Sequence, residues 1–288
     1  MKFRTPVETS ASAVKVCHSD APLFVGSCFS THIAERLRRD GFDVVSNPGG
    51  ALYNPASIAS FLHRALRLDY FREEELVEGP RGYHLTALST VFSGAEGEAV
   101  ISAANSALES AARRIAEGAV FFVTLGTAFV FEWKASGCVV GNCHKLPATC
   151  FTRRRMSVDE CVGVLAPVVR DLSARGVHTV FTVSPVRHTA DTLHGNTLSK
   201  STLHLACDAL LGIFPGACSY FPAYEAIIDD LRDYRFTASD MKHPTEQAAD
   251  YVYELFTNCF FSEDTLKKAL SARKASARAA HRPILDNG

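Results

Sequence analysis

Short apolar runs alternate with longer amphipathic stretches along most of the chain. The runs are rich in β-branched or aromatic residues and end at small or turn-forming residues, which is typical of buried strands. They lie at 21–27, 41–47, 119–126, 178–185 and 217–223. Helical periodicity predicts helices at 31–40, 55–68, 101–117, 158–175, 198–214 and 245–256. This alternation indicates an α/β fold, in which helices cover both faces of about five mostly parallel strands as a three-layer α/β/α sandwich.

One pair of apolar segments interrupts this alternation. The segments "AFVFEW" (128–133) and "GCVVGN" (137–142) predict a β-hairpin inserted after the third strand. Because no linker divides the chain, we predict a single domain over 1–288, with its core at about 20–262. The alanine-rich, basic segment 263–288 is predicted to form a C-terminal helix and tail.

Charge and composition limit the classes of partner. The 288 residues include 30 Lys or Arg and 31 Asp or Glu, which gives a net charge of −1. This balance gives no support for a nucleic-acid partner or an anionic membrane surface. The N-terminal segment lacks the apolar core of a signal peptide, and no apolar stretch is long enough to span a bilayer. We therefore expect a cytoplasmic protein that acts on a small molecule.

The nine cysteines do not form a recognisable pattern. Their number is odd and no CxxC pair occurs, so neither a disulfide framework nor a zinc ribbon is indicated. Cys143, His144 and Cys150 lie close together in the sequence, but the run supplies no fourth ligand for a zinc site. We therefore predict no metal and no cofactor.

A candidate nucleophile lies where the first predicted strand meets the first helix. The stretch "FVGSCFS" places Ser27 and Cys28 directly after Gly26. A strand-to-helix turn exposes a side chain and directs unpaired helix N–H groups toward it, which suits a nucleophile and the oxyanion that it creates. Ser27 or Ser30 could instead only cap the helix. Cys28 is the rival nucleophile, because a helix N-terminus favours a thiolate.

A candidate base and its partner lie near the C-terminal end. In "SDMKHP", Asp240 and His243 are three residues apart, directly before Pro244, which can start a helix. A compact turn would let the carboxylate reach one imidazole nitrogen and leave the other nitrogen to face a hydroxyl. The plain alternative is an ion pair at the start of a helix. Together with an earlier serine, the pair completes a triad in the order Ser, Asp, His.

These segments resemble a known family. The pentapeptide "GSCFS" (26–30) differs only at Ser30 from the signature after which the GSCFA family is named. The resemblance continues through "NPGGALYNP" (47–55), "TLGTAFVF" (124–131), "GNCHK" (141–145), "SPVRH" (184–188), "NTLSKSTL" (196–203) and "DMKHP" (240–244). The GSCFA family is in turn similar to the SGNH, or GDSL, hydrolases. This similarity implies a flavodoxin-like fold and an esterase or related activity.

The resemblance also implies roles for particular residues. It assigns the nucleophile to Ser27, with Asp240 and His243 as its partners. It assigns oxyanion donors to the N–H groups of Ser27 and Gly50, with Gly49 as the alternative to Gly50.

One element of the superfamily pattern is missing from this chain. The asparagine of its Gly-x-Asn block is replaced here by Ala128 in Gly126-Thr127-Ala128. Asn142, delivered by the inserted hairpin, is therefore assigned the missing amide donor, and its plain alternative is a turn asparagine.

Three polar residues are expected at the same edge of the sheet. His144, Arg187 and His188 are assigned to substrate binding, with structural hydrogen bonding as the alternative. The arginine run at 152–156 could steer an anionic substrate, although such runs are more often solvated.

The predicted function is a serine esterase or acyl hydrolase. Its expected substrate is a short acyl ester, such as an acetyl ester, of a sugar or small metabolite. Two alternatives stay open: a non-catalytic ligand-binding protein, suggested by the missing asparagine, and a thioesterase that depends on Cys28.

Overall fold

The computed structural model describes residues 4–9 and 11–280, and its strands form three sheets. The strands are β1 (Leu23–Gly26), β2 (Val45–Ser46), β3 (Leu76–Gly79), β4 (Gly82–Leu85), β5 (Ser93–Gly94), β6 (Val120–Leu125), β7 (Phe129–Trp133), β8 (Val139–Val140), β9 (Phe151–Arg155), β10 (His178–Val183) and β11 (Cys218–Tyr220). The helices are α1 (Phe29–Arg39), α2 (Pro55–Arg67), α3 (Gly97–Glu117), α4 (Val158–Ser173), α5 (Thr192–Ile213), α6 (Ala223–Glu225), α7 (Glu246–Phe260) and α8 (Glu263–Ala280). A π-helical turn, Ala226–Leu231, continues α6.

The central sheet is parallel and has the order β2-β1-β6-β10-β11. Counted along the chain, these five strands are arranged 2-1-3-4-5, which is the flavodoxin-like order. The register pairs Gly26 of β1 with Thr124 of β6, and Thr124 with Thr182 of β10. The carboxyl ends of the three central strands therefore meet at one edge of the sheet, where ligands bind in folds of this type. The predicted α/β sandwich is confirmed.

Side chains of the central strands alternate between two apolar layers. Phe121, Val123 and Leu125 of β6 belong to the cluster that includes residues of α2, α3, α4 and α5. Val120 and Phe122 belong to the opposite cluster, with residues of α1 and α7. Full burial of one such side chain contributes about 1.5–3 kcal/mol. The continuous apolar run of β6 therefore reflects burial on both faces of the sheet.

The two smaller sheets differ in how far the sequence predicts them. The predicted hairpin is present as β7 and β8, which pair Phe131 with Val140. The arginine run forms a third strand of this sheet, β9, which pairs with the other edge of β7. The antiparallel sheet β3-β4-β5 between α2 and α3 was not predicted.

Most predicted helices are present, with shifted ends. Helix α5 begins at Thr192 instead of residue 198, and α1 begins at Phe29 instead of residue 31. Helix α8 covers the first part of the predicted C-terminal segment, whose residues 281–288 lie outside the described part of the chain. Within the described residues, no helix combines the length and the apolar character that crossing a bilayer requires.

Candidate active site

The turn between β1 and α1 is fixed by backbone contacts. Gly26 has φ = 133°, and a Cβ atom at this position would lie 2.1 Å from the carbonyl oxygen of Thr124. The next residue, Ser27, donates its N–H to the same oxygen at 3.0 Å. On the other side, the Asn47 Oδ1 accepts the Gly26 N–H at 2.8 Å, and its Nδ2 donates to the Ser27 carbonyl at 3.3 Å. Only glycine allows β1 to approach β6 this closely.

The two candidate nucleophiles have different surroundings. The Ser27 side chain is buried, with the residue 1% exposed, and its Oγ accepts the Phe29 N–H at 3.3 Å. Cys28 is partly exposed and precedes the first residue of α1. Its Sγ lies 3.6 Å from the Nε2 of His243. Among the described residues, no hydrogen bond joins Ser27 to His243. The structure thus brings the Cys28 side chain to the imidazole, whereas Ser27 makes its hydrogen bonds within the turn.

The turn before α7 orients His243. The Asp240 Oδ2 lies 2.5 Å from the His243 Nδ1, and its Oδ1 accepts the N–H groups of Lys242 at 2.9 Å and His243 at 3.0 Å. The hydrogen bond from the imidazole is the largest cause that holds the pKa of Asp240 well below its usual range. The compact arrangement leaves Nε2 directed toward Cys28. Cys28, His243 and Asp240 therefore form one continuous hydrogen-bonded chain.

Burial opposes ionisation of the Cys28 thiol. It raises the pKa of the thiol, while the N–H groups of Cys28 and Phe29 and the charge of Lys200 act in the opposite direction. Because burial is the largest cause, its net effect is to favour the neutral thiol over the thiolate. A base must then remove the thiol proton before the sulfur can act as a nucleophile.

A buried lysine links the ends of two central strands. The Lys200 Nζ donates to the carbonyl oxygens of Gly126 and Ser184, both at 2.6 Å. These residues directly follow β6 and β10. Burial lowers the pKa of Lys200 to about 7. Lys200 lies within the "NTLSKSTL" segment, whose sequence pattern alone does not indicate this role.

Cys28 and His243 open onto a pocket of about 500 Å³. Aromatic and charged side chains from strands and loops form about half of its wall. The lining residues include Tyr53, Phe129, Phe131, Asn142, Arg153, Arg187, His188, Asp191 and Lys242. Sequence reasoning assigned no role to Tyr53, Phe129, Phe131, Asp191 or Lys242.

The predicted oxyanion donors are only partly available. The Ser27 N–H is bound to the Thr124 carbonyl, and the Gly50 N–H donates to the Asn47 carbonyl at 2.8 Å. Gly50 also lies outside the pocket wall; its φ of 73° and the proximity of Ser89 explain the glycine there. Asn142 does line the pocket. Its Oδ1 accepts the His144 N–H at 2.8 Å, so the Nδ2 group is the part of the amide that can donate to a ligand.

The three predicted substrate-binding residues have separate positions. His144 is 2% exposed, outside the pocket wall, and its Nε2 lies 3.0 Å from the Leu85 carbonyl oxygen, which indicates a structural role. Arg187 lines the pocket but donates to the Met241 carbonyl at 3.0 Å, and so supports the turn that carries His243. His188 also lines the pocket, and burial lowers its pKa to about 4.

The residues considered for metal binding do not converge. Cys143 lines the pocket, whereas His144 is buried outside its wall. Among the described residues, no group of three or more His, Cys, Asp or Glu side chains is arranged to hold a metal ion.

Comparison with known proteins identifies the family. The model of the GSCFA family matches residues 22–256, which include the β1–α1 turn and the Asp240–His243 turn. The chain belongs to the GSCFA family. No curated protein matches this GSCFA protein. Among solved structures, it is similar to the psychrotrophic esterase EstA from Pseudoalteromonas sp., inhibited by monoethylphosphonate, with 10% identity and a TM-score of 0.39 over 88% of this chain and 99% of that chain. A similarity of this size carries no information about the activity of the GSCFA protein.

Proposed function

We propose that this GSCFA protein is an acyl hydrolase whose nucleophile is Cys28. The observation that carries this proposal is the 3.6 Å contact between the Cys28 Sγ and the His243 Nε2, with Asp240 bound to the other imidazole nitrogen. Nucleophile, base and orienting carboxylate are then linked in the order that covalent acyl transfer requires. The bond that is cleaved is an ester or thioester.

The reaction proceeds through an acyl-enzyme. The His243 Nε2 accepts the thiol proton, and the Cys28 sulfur attacks the acyl carbonyl carbon. The C–O or C–S bond to the leaving group breaks, and the leaving group takes the proton from His243. Water then gives a proton to His243 and attacks the thioester on Cys28. The C–S bond breaks, the acid is released, and His243 returns the proton to the sulfur to restore the thiol. Asp240 holds the imidazole in the required tautomer and stabilises its cation.

Two groups are the best candidates to bind the oxyanion. The Cys28 N–H lies at the N-terminus of α1 and makes no backbone hydrogen bond within the described residues. The Asn142 Nδ2 is the second donor, supplied by the segment after β8. Loss of one such donor typically costs about 10²-fold or more in turnover. These groups replace Gly50 and the Ser27 N–H in the proposed mechanism.

The pocket volume supports a small substrate. About 500 Å³ lies within the range of small-molecule sites and suits a short acyl ester or thioester, such as an acetyl ester of a sugar or metabolite. The serine esterase predicted from the sequence uses the same base and carboxylate. Because Ser27 is buried and hydrogen-bonded inside the turn, we assign the attacking atom to Cys28 instead.

Substitution of the two neighbouring residues tests this proposal. We expect Cys28→Ala to lose about 10²-fold or more of the turnover of 4-nitrophenyl acetate and of an acetyl thioester, whereas Ser27→Ala retains most of it. Cys138→Ala is the control for nonspecific thiol reactivity, because Cys138 is exposed and lies outside the pocket wall. If Cys28→Ala retains turnover and Ser27→Ala abolishes it, the nucleophile is Ser27.

A further inference from the structure

Positively charged side chains outnumber negatively charged ones in the pocket wall. Arg153, Arg187 and Lys242 line the pocket, and the carboxylate that lines it with them is Asp191. The Asp191 side chain is 4% exposed and is already paired with Arg153. Asp240 is not part of this wall. An apolar or neutral substrate would gain no ionic interaction from this excess of positive charge.

Arg153 is held by an ion pair and two aromatic rings. It comes from β9, and its side chain is 37% exposed. Its guanidinium lies 5.1 Å from the ring centre of Phe129 and 4.9 Å from that of Phe131. Asp191 is its one hydrogen-bonding or ionic partner in the described part of the chain. A guanidinium has five N–H donors in a fixed plane, so Arg153 is oriented and retains donors for a ligand.

The other two pocket cations have different roles. Arg187 already donates to the Met241 carbonyl and lies over the Tyr234 ring. Lys242 is exposed and directly precedes His243. Its flexible ammonium can add charge near the reacting centre but gives little geometric selectivity. Arg153 is therefore the best candidate for direct recognition.

A buried lysine behind the pocket adds to the positive field when it is protonated. Lys200 is 2% exposed and donates to two backbone carbonyls, with no carboxylate partner within residues 4–9 and 11–280. Its charge acts on Cys28 and His204, and with Arg153 and Lys242 it acts on His188. Interactions of this kind are stronger in a partly buried site than in bulk water.

From this arrangement we infer that the substrate carries a carboxylate or phosphate group and that the Arg153 guanidinium binds it. The inference rests on the proposed function, because it assumes that the pocket beside Cys28 receives the acyl substrate. It restricts the substrate class to anionic esters or thioesters. It also gives β9 a role in specificity.

Binding to an inactive variant tests the inference separately from turnover. In the Cys28→Ala protein, calorimetry would compare three matched thioesters: neutral S-butyrylpantetheine, S-succinylpantetheine with a carboxylate on the acyl side, and S-butyryl-4′-phosphopantetheine with a phosphate on the leaving group. We expect at least one anionic compound to bind about tenfold to hundredfold more tightly than the neutral one at low salt. The difference should shrink as salt increases.

Variants of β9 identify the residue responsible. Arg153→Gln alone would leave Asp191 buried without its partner, so the double variant Arg153→Gln/Asp191→Asn removes both charges together. In the Cys28→Ala background, this variant should lose the preference for the anion. Arg154→Gln is the matched control, because Arg154 pairs with Glu132 and Glu160 and lies outside the pocket wall.

The results separate this inference from the proposed function. Equal binding of the neutral and both anionic compounds, binding of none of them, or a preference that survives in the double variant would overturn the inference. Selective binding of an anion that depends on Arg153 would support it even if Cys28→Ala and wild type hydrolyse test substrates equally. That last result would overturn the proposed nucleophile alone.

Discussion

At the scale of single residues, the chemistry depends on which of two neighbours faces the imidazole. Ser27 is held by its N–H bond to Thr124 and by the contact of its Oγ with the Phe29 N–H. Cys28 is the residue whose side chain approaches His243. Burial raises the pKa of its thiol, so in the proposed mechanism Cys28 depends on His243 for activation at neutral pH.

This dependence predicts a pH-sensitive alkylation pattern. At pH 7, Cys28 should react with iodoacetamide about tenfold or more slowly in His243→Gln than in wild type, because the variant lacks the base that accepts the thiol proton. The two rates should converge as the pH rises above the pKa of the thiol. Peptide mass spectrometry measures the rate at each cysteine, and the exposed Cys138 serves as the internal control. Equal Cys28 rates in both proteins from pH 6 to 8 would contradict activation by His243.

The sequence predicts one half of this site better than the other. Asp240 and His243 are three residues apart, and local turn geometry alone brings them into contact. The direction of Ser27 depends instead on a long-range bond to Thr124, which no local pattern reveals.

At the scale of elements, the site depends on the close approach of β1 to β6. Gly26 has a positive φ and leaves no space for a side chain beside Thr124. The bonds from Asn47 hold the same turn from the side of β2. The position of Cys28 is therefore determined by the sheet and not by α1 alone.

Substitution of two glycines tests this requirement. Gly26→Ala should lower the free energy of unfolding by about 3 kcal/mol or more, because its Cβ would overlap a backbone oxygen. Gly163→Ala in α4 is the matched control, since no atom lies within 4 Å of the added Cβ. It should raise stability by about 0.5–1 kcal/mol. Urea denaturation measures both, and a Gly26→Ala protein as stable as wild type would contradict the described turn.

The elements that the sequence did not reveal share a physical cause. Strands β1, β6 and β10 are apolar because both faces of the central sheet are buried, so their runs stand out. Strand β9 contains three consecutive arginines and has mostly exposed residues, and β5 has two residues. Small edge sheets need little apolar sequence, so periodicity does not detect them.

At the scale of the whole molecule, one buried charge affects stability. Lys200 holds the ends of β6 and β10 together, yet burial of its ammonium lowers its pKa to about 7. A lysine in an unfolded chain has a pKa of about 10.4. Between these values the unfolded chain binds more protons than the folded chain, so the Lys200 contribution to stability increases as pH rises.

Comparison with Lys200→Met isolates this contribution. The free energy of unfolding of wild type minus that of the variant should rise by on the order of 4 kcal/mol from pH 7 to pH 10. Groups common to both proteins cancel in this difference. Lys134→Met, which changes an exposed lysine, is the control and should track wild type. A difference that stays constant or falls with pH would contradict the lowered pKa of Lys200.

The central claim is that acyl transfer passes through the sulfur of Cys28. Its most direct test is to mix the protein with an acetyl thioester, quench with acid during turnover, and locate the acetyl group by peptide mass spectrometry. We predict one acetyl group on Cys28 in wild type and none on this residue in His243→Gln. An acetyl group on Ser27, or turnover by wild type with Cys28 unmodified in every quenched sample, would contradict the account.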